Sequence, residues 1–505
     1  DMARVAADLT LPYLIKGEEE YQTGPRVLHT PWQSVGAKGV VTLASKLMLA
    51  LLPPSGSFFK LQINDGTIDK FDPQVKSEMD LSFSKIERII MEEISASDDR
   101  VIIHQALKHL VVAGNALVYM DKKKLKLFPL NRYVVDRDGN GNVLEIVTKE
   151  RISRKIAKKI FPNFTEPKPN SVGDDGEKGD DDVDVYTHVI RENNRFVWHQ
   201  EIDGMKVPKS EGKAPIETTP WLPLRFNTVD GEMYGRGRCE EFIGDLKSLE
   251  ALSQALVEGS SVAAKVIFTV SPPSTTKPAT LASAGNGAIV QGRPDDIQAI
   301  TVGKTADFKT AYEMAATLEK RLADAFLILQ VRNSERTTAE EVRMTQMELE
   351  QQLGGLFSLL TVEFLVPYLN RKLSIAQKSG KIPRLPDKFV EPTITAGLNS
   401  LGRGADRESL SMFLQTLAQN MGPEVMLQYI VHEEVVKRFA ASVGIDVLNL
   451  VKTPQMVQQA EQKKLTQMKD MEMTKQAAAM MNTPQFDPTK NPDAPKLNGE
   501  NFPQQ

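Results

Sequence analysis

The pattern that most constrains the fold of this chain lies in residues 311–369. There, two helical segments are separated by a short polar interruption. The first segment has apolar residues at steps of three and four, which form one face of a helix: Met314, Leu318, Leu322, Phe326 and Leu329. The second begins at Thr338, which has capping-box spacing to Glu341, and its apolar face follows: Val342, Leu349, Leu353, Leu356, Leu360 and Phe364. Between them, residues 330–337 form either a solvated connection or a loop that presents two arginines to a polyanion.

Size and charge limit the classes of protein to which this chain can belong. A chain of 505 residues is too long for one hydrophobic core, so about two to four domains are expected. The formal net charge of −4 provides no global basic field for nucleic acid, so any DNA contact is expected to be local. Cys239 is the single cysteine, which excludes an internal disulfide framework. No uninterrupted apolar run reaches about 18 residues, so we expect no membrane span.

The apolar periodicity changes along the chain and predicts alternating helical and β regions. Helical periodicity predicts helices near residues 30–51, 75–95, 100–114, 240–265, 405–419, 423–441 and 446–451. Period-two alternation predicts a β-rich module with strands near residues 116–120, 125–129, 133–136, 143–149, 185–191, 195–201 and 221–226. A basic helix at 152–161 and a disordered acidic loop at 162–184 are expected to interrupt that module. Short β pieces are expected at 287–290 and 297–302.

Several short motifs imitate sites of chemistry, but each lacks a residue that the chemistry requires. Residues 303–305 resemble the end of a phosphate-binding loop, yet Gln298 stands where that loop needs glycine. Residues 136–141 copy half of a calcium loop, but Val147 replaces the bidentate glutamate, so a hairpin turn is favoured. Residues 235–238 lack the third glycine of a dinucleotide fingerprint, which favours a backbone turn. We therefore predict no catalytic residue, no metal site and no cofactor.

Six long segments carry the most specific information in the chain: 30–54, 107–120, 132–148, 231–252, 337–360 and 391–404. The first starts Thr-Pro-Trp-Gln-Ser-Val-Gly-Ala-Lys-Gly, and the last starts Glu-Pro-Thr-Ile-Thr-Ala-Gly. In this order, the segments resemble the portal (head–tail connector) proteins of short-tailed, podovirus-type bacteriophages. The resemblance extends from about residue 5 to about residue 450.

The resemblance implies a mixed α/β, mainly helical portal fold that assembles as a ring. The chain would then begin with a wing at 1–235, which is helical at its start and β-rich at 116–226. A stem helix at 236–267, a clip at 268–307, a second stem helix at 308–329 and a tunnel loop at 330–337 would follow. The remaining parts would be a support helix with a return to the wing at 338–400, crown helices at 401–482 and a disordered tail at 483–505.

The resemblance also implies a function without enzymatic activity or cofactors. Twelve copies would form a ring at a unique capsid vertex, which serves as the conduit for packaging and ejection of double-stranded DNA. The implied partners, besides other copies of the chain and DNA of any sequence, are the terminase large subunit, a tail adaptor, the major capsid protein, scaffolding protein and internal core proteins. Assembly would occur in the host cytoplasm and end at the portal vertex of the virion, with no membrane involved.

Two sets of residues are implied to make the contacts of this function. In the tunnel loop, Arg332, Asn333 and Arg336 are expected to touch DNA. In the clip, the residues expected to face terminase and tail are Thr275, Thr276, Lys277, Asn286 and Arg293. Firm neutralisation of many phosphates would slow a moving duplex, so a nearly neutral chain with a few loop arginines suits a conduit.

Two other classes of function compete with this interpretation. One is an enzyme, such as a metal-dependent nuclease that uses acidic residues around Asp174 or Asp136. The incomplete motifs argue against it. The other is a helical scaffold or membrane-remodelling protein without a DNA channel. The long β-rich module at 116–226 argues against that class.

Overall fold

The computed structural model describes a mixed α/β chain with two compact units, Asp1–Gly402 and Arg403–Gln505. The described residues are 1–15, 28–53, 57–63, 73–161, 182–263, 267–270, 277–285, 289, 291, 293, 297–300, 305–328, 353–384, 390–394, 403–421, 430, 435, 439, 463, 466–469, 471–473 and 475. The predicted mixed α/β class is confirmed. The helix predicted at 446–451, the tail at 483–505 and most of the helix predicted at 423–441 lie outside the described residues, as do residues 162–181 of the acidic loop predicted at 162–184. The last three residues of that loop, 182–184, are instead the start of a strand that pairs with residues 151–153, so the loop prediction is wrong there.

Within the described residues, the predicted helices and strands occur in the predicted order, and the structure adds elements that the apolar periodicity did not predict. The helices are α1 (Met2–Asp8), α2 (Val35–Leu51), α3 (Pro73–Ala96), α4 (Asp99–Ala113), α5 (Arg154–Ile160), α6 (Arg238–Glu241), α7 (Ile243–Ala263), α8 (Pro278–Ser283), α9 (Thr305–Ala325), α10 (Leu353–Lys378) and α11 (Arg403–Met421). The strands are β1 (Phe59–Ile63), β2 (Asn115–Met120), β3 (Leu125–Phe128), β4 (Tyr133–Arg137), β5 (Val143–Ser153), β6 (Asp182–Glu192), β7 (Arg195–Ile202), β8 (Met205–Lys206), β9 (Gly212–Pro215), β10 (Trp221–Arg225), β11 (Ile267–Val270), β12 (Ile297–Ile300) and β13 (Val390–Ile394). The added elements are α1, α8, β8, β9, β11 and β13.

The start of α2 corrects a sequence prediction. The helix was expected to begin at Thr30, but it begins at Val35. The Gln33 side chain explains the shift, because its Oε1 accepts the N–H of Gly36 at 2.8 Å. That N–H is one of the first-turn donors that lack a partner within a helix. The backbone N–H of Gln33 donates to Glu250 of α7 at 3.4 Å, so the residues before the helix are tied to a distant element.

The end of α4 agrees with the prediction that Gly114 terminates this helix. Gly114 has a φ of 72°, and a Cβ there would collide with the carbonyl oxygen of Gly235. Only glycine fits such a position. The Asn115 side chain donates to the Gly235 carbonyl and accepts the Gly235 N–H, both at 2.7 Å. Residues 235–238 are therefore a backbone turn against α4, as the sequence predicts.

Two antiparallel sheets form the β-rich module. One has the strand order β10-β2-β3, and the other has the order β4-β5-β6-β7-β8 with β9 pairing with β7. Between β4 and β5, Asp138 Oδ1 accepts the N–H groups of Asn140 and Asn142 at 2.9 and 2.8 Å. Gly141 in this turn has a φ of 82°. The hairpin predicted in place of a calcium loop is confirmed.

The main core of Asp1–Gly402 lies between the first helices and α10. Its largest buried side chains include Phe58, Phe59, Phe326, Phe364, Tyr368, Leu43 and Leu47. By length and composition alone, α10 could cross a membrane. One face of α10 packs into this core through residues that include Leu360, Phe364 and Leu369.

Candidate functional site

Helices α7 and α9 form an antiparallel hairpin that carries the candidate site. At one end of the hairpin, Arg321 of α9 contacts Asp245 of α7 at 3.0 Å. Toward the other end, a Cβ at Gly259 of α7 would lie 2.5 Å from the ring of Phe308 in α9. The glycine therefore allows the two backbones to approach closely where an aromatic ring lies between them. We call the first of these ends the root of the hairpin, because it is anchored in the main core by buried side chains: Leu246, Leu249, Leu322 and Phe326.

The chain between the two helices contains a small antiparallel pairing of β11 with β12, in which Ile267 lies opposite Ile300. Sequence periodicity did not predict β11, while β12 agrees with the predicted piece at 297–302. Of the residues predicted to face terminase and tail, Lys277 and Arg293 are exposed. Thr275, Thr276 and Asn286 lie outside the described residues.

The distal part of the hairpin exposes large apolar side chains. Val257 of α7 is 52% exposed, and Tyr312 and Met314 of α9 are 68% and 56% exposed. Because Gly259 faces Phe308, Val257 and Tyr312 are separated by less than about one helical turn along the axis of the hairpin. Tyr312 and Met314 are two residues apart on α9, about 200° around the helix axis, so the hairpin exposes large apolar side chains on more than one side.

At the root, the end of α9 is held by side chains from α2 and α6. Phe326 is buried against Gly39 of α2, where a Cβ would lie 2.6 Å from the phenyl ring. Lys46 Nζ of α2 donates to the Leu327 carbonyl at 2.5 Å, and burial lowers the pKa of Lys46. Arg238 Nε of α6 donates to the Ala325 carbonyl at 3.2 Å. Cations at the last carbonyls of a helix also interact favourably with its dipole.

The predicted tunnel loop follows directly from this root. Arg332, Asn333 and Arg336, the residues expected to touch DNA, lie outside the described residues. The described chain ends at residue 328 on one side of the loop and resumes at Leu353 in α10 on the other. Phe326, shortly before the predicted loop, belongs to the main core, and so does Leu353, where the described chain resumes.

On one flank of α10, a carboxylate is bound by two arginines of the β-rich module. Glu363 accepts hydrogen bonds from the backbone N–H and the Nε of Arg225 at 2.9 and 2.8 Å. Arg137 Nη1 lies 3.7 Å from the same carboxylate. Glu363 lies in a π-helical turn, Thr361–Leu365. Burial lowers the pKa of Arg137, and the negative charge of Glu363 opposes that shift.

On another part of α10, a second buried ion pair connects this helix to α4. Lys372 Nζ lies 2.6 Å from Asp99 Oδ2, and the Tyr368 hydroxyl donates to the same oxygen at 2.6 Å. Burial raises the pKa of Tyr368 well above its usual value, so the phenol remains a donor. Sequence reasoning missed both polar clusters. The one available signal was a carboxylate, Glu363, within an apolar helical stripe.

The described residues offer no arrangement that supports the nuclease alternative. Within them, no group of three or more His, Cys, Asp or Glu side chains could hold a metal ion. A cavity of about 520 Å³ lies between the two sheets, with an aromatic lining that includes Trp198 and Trp221. Its carboxylate, Glu150, contacts Lys126. Ser210, one of the hydroxyl groups in the lining, donates to the Val207 carbonyl at 2.7 Å.

Comparison with known proteins decides the family. The family described as bacteriophage head to tail connecting protein matches residues 1–450 of the chain. The chain belongs to this family. The resemblance seen in the six sequence segments is thereby confirmed, and with it a phage portal function.

Individual relatives agree with the head-to-tail connecting family. The portal protein of Escherichia phage T7 is 37% identical over 509 residues, which covers 97% of this chain and 92% of that protein. The portal protein of Enterobacteria phage T3 is 38% identical over 490 residues, covering 94% and 88%. Among solved structures, the neck of an empty gene transfer agent particle is 11% identical with a TM-score of 0.38, covering 80% of this chain and 89% of that one. A similarity of that size carries no structural argument.

Proposed function

We propose that twelve copies of this connector form a ring at one capsid vertex, through which double-stranded DNA enters and leaves. The exposed apolar side chains of the hairpin carry this proposal. Val257, Tyr312 and Met314 face solvent in a single subunit. In a closed ring of head-to-tail contacts, each subunit has a neighbour on either side, so exposed apolar side chains on both sides of the hairpin would be covered. The family match supplies the context, since head-to-tail connection requires an assembly at the vertex.

The parts of the chain are assigned places in the ring. We assign α7 and α9 to the stem, 268–307 to the clip, 330–337 to the tunnel loop, 1–235 with the return at 338–400 to the wing, and 401–482 to the crown. The division into units at Gly402 and Arg403 supports a separate crown. The pairing of β11 with β12 between the stem helices supports a clip that is a compact extension of the hairpin.

The ring is proposed to act by binding and positioning, without catalysis or a cofactor. The clip docks the terminase large subunit during packaging and the tail adaptor afterwards. The wing contacts the major capsid protein and scaffolding protein, and the crown contacts internal core proteins. The subunits assemble in the host cytoplasm and remain at the portal vertex of the virion. DNA is contacted through its phosphates, which carry no sequence information.

Electron microscopy of the purified full chain tests the assembly. We expect rings with twelvefold symmetry and a central hole wide enough for a duplex. A protein that remains a monomer or dimer at every concentration would contradict the proposal.

Replacement of Tyr312 by Glu should reduce ring formation, because it places a charge in the apolar contact between subunits.

The role of the tunnel loop is tested by the double substitution Arg332→Ala with Arg336→Ala. We expect rings to assemble normally, since both arginines are assigned to DNA contact and not to contact between subunits. Packaging or retention of the genome should fall by about tenfold or more, because a lost contact of about 1.4 kcal/mol is a factor of ten. The measurement is the fraction of filled heads and the length of DNA that they hold.

The control for the loop arginines is a second double variant that changes the net charge by the same amount. Arg195 and Arg384 are exposed, and Arg195→Ala with Arg384→Ala also removes two positive charges. We expect this variant to package normally. If both double variants package full-length genomes equally well, the loop does not have the assigned role.

A further inference from the structure

The cavity of about 520 Å³ within the β-rich module has the size and the lining of a binding site. Sites of this kind enclose about 300–1,000 Å³ and combine apolar or aromatic walls with a few polar groups. The half-buried rings of Tyr119, Trp198 and Phe161 form part of the wall. A Cβ at Gly212 of β9 would collide with the Trp198 indole, so this ring lies directly against the backbone of the neighbouring strand. That part of the aromatic wall is therefore held in place before any ligand binds.

Lys209, which also lines the cavity, has a backbone conformation that is unusual for lysine. Its φ of 65° lies in the left-handed region. Pro208 precedes it, and the N–H of Ser210 donates to the Val207 carbonyl at 3.3 Å, as in a type II turn, whose third residue is usually glycine. Glycine would adopt this conformation without strain. A strained residue at a cavity points to a function of the lysine side chain there.

Helix α5 and the turn at 207–210 are fixed beside each other by one small apolar cluster. Ala157 of α5 and Val207 of the turn are both buried in it. Ile160 of α5 lines the cavity and is 56% exposed, and Ile156, about one helical turn earlier, is 51% exposed. The apolar surface of the cavity therefore continues outward along α5. The same helix carries exposed lysines: Lys155 and Lys159.

The charges around the cavity favour an anionic ligand. Within the lining, Lys126 forms an ion pair with Glu150, so these two charges cancel. Lys209 then gives the lining an unbalanced positive charge. The exposed lysines of α5 add positive charge where the apolar surface leaves the cavity. A complementary ligand therefore presents acidic groups around an apolar body.

We propose that this cavity binds an acidic peptide segment of a partner protein. An aromatic side chain of the segment packs against the wall formed by Tyr119 and Trp198, and its carboxylates lie beside Lys209 and the lysines of α5. A nucleotide would also use aromatic rings and lysines. The exposed Ile156 and Ile160 favour the peptide, because a peptide places apolar side chains on them and a phosphate group does not. The inference goes beyond the proposed ring, since the site lies within one subunit.

The probe is a five-residue peptide in which benzoylphenylalanine, a photoreactive aromatic residue, stands between two pairs of glutamates. The full chain is irradiated with this peptide, and mass spectrometry locates the cross-links. We expect cross-links to residues that line the cavity, including Tyr119 and Trp198. A peptide with lysines in place of the glutamates should require about tenfold higher concentration or more for half-maximal cross-linking, because it places like charges beside Lys209.

Replacement of Lys209 by glycine separates binding from folding. The variant removes the side chain and relieves the strained conformation, so the protein should remain folded. We expect the peptide concentration for half-maximal cross-linking to rise about threefold, the effect of losing one exposed ion pair. The control is Lys213→Ala, which removes the same charge from the opposite face of the sheet, since the adjacent Gly212 lies against Trp198. This control should bind the peptide as the unmodified protein does.

Replacement of Ile156 by glutamate tests the apolar surface of α5. Ile156 is exposed, so the variant should fold, and it places a negative charge against an acidic peptide. The peptide concentration for half-maximal cross-linking should rise about tenfold or more. The matched control is Val134→Glu in β4. Val134 is 58% exposed and lies between two buried residues of its strand, so it faces away from the cavity, and its replacement should not change binding.

Four results would overturn the inference. Three are cross-links outside the cavity, equal binding of the acidic and basic peptides, and equal binding by either variant and its control. The fourth is displacement of the peptide by adenosine monophosphate at lower concentrations than the peptide itself requires, because the cavity would then be a nucleotide site. Rings without peptide binding would contradict this inference alone. Peptide binding by a protein that forms no rings would support it and contradict the proposed assembly.

Discussion

Replacement of Glu363 by Ala is expected to lower the free energy of unfolding by about 3–5 kcal/mol, the usual cost of removing one partner from a buried ion pair. The Glu363 and Arg225 side chains are each 12% exposed, and the Arg137 side chain is 4% exposed. Without the carboxylate, two buried guanidinium groups would face each other with no negative charge between them. The measurement is urea denaturation at a fixed subunit concentration, because assembly changes apparent stability by mass action.

The matched control for this substitution is Glu319→Ala in α9. Glu319 is exposed, so its loss should change the free energy of unfolding by no more than about 0.5 kcal/mol. Equal denaturation midpoints for the Glu363→Ala and Glu319→Ala variants would show that the arginine–glutamate cluster does not stabilise the fold. A further expected consequence of Glu363→Ala is a weaker attachment of α10 to the β-rich module, since both arginines belong to strands of that module and only contacts such as that of Arg371 with the Thr218 carbonyl would remain.

Acidification is expected to destabilise the protein through His109. This histidine of α4 is 6% exposed, its Nδ1 has no hydrogen-bond partner among the described residues, and burial lowers its pKa to about 4. The unfolded chain takes up a proton near the usual value of 6.5, before the folded chain does. Stability is therefore full above about pH 6.5 and falls as the pH drops toward 4. Over that window the loss from this residue is on the order of 3 kcal/mol, at 1.36 kcal/mol per pKa unit.

The pH effect is assigned by comparing two histidine variants. His109→Leu removes the titrating group while keeping a similar volume in the core, so its stability should fall less steeply between pH 6.5 and pH 4. His29 is exposed, and His29→Leu should keep the slope of the unmodified protein. Unfolding free energies at several pH values provide the measurement. Parallel slopes for the His109→Leu variant and the unmodified protein would exclude His109 as the cause.

Local patterns predicted much of the fold because local physics determines it. The glycine that ends α4 and the hairpin at residues 138–142 depend on backbone conformations that few residue types adopt, so composition reveals them. The start of α2 was predicted wrongly for the opposite reason. Its first turn is capped by Gln33, whose neighbouring backbone is bound by Glu250, more than two hundred residues away.

The sequence by itself determined the family and the two helices of the hairpin. It also predicts a loop between α9 and α10. These follow from ordered segments and from apolar spacing, which are properties of neighbouring residues. Only the tertiary structure decided how the end of α9 and the middle of α10 are held. Lys46 meets Leu327, and Glu363 meets Arg225 and Arg137, across long separations in sequence. A buried charge reveals its partner only when the folded chain brings the two together, because no spacing rule connects distant residues.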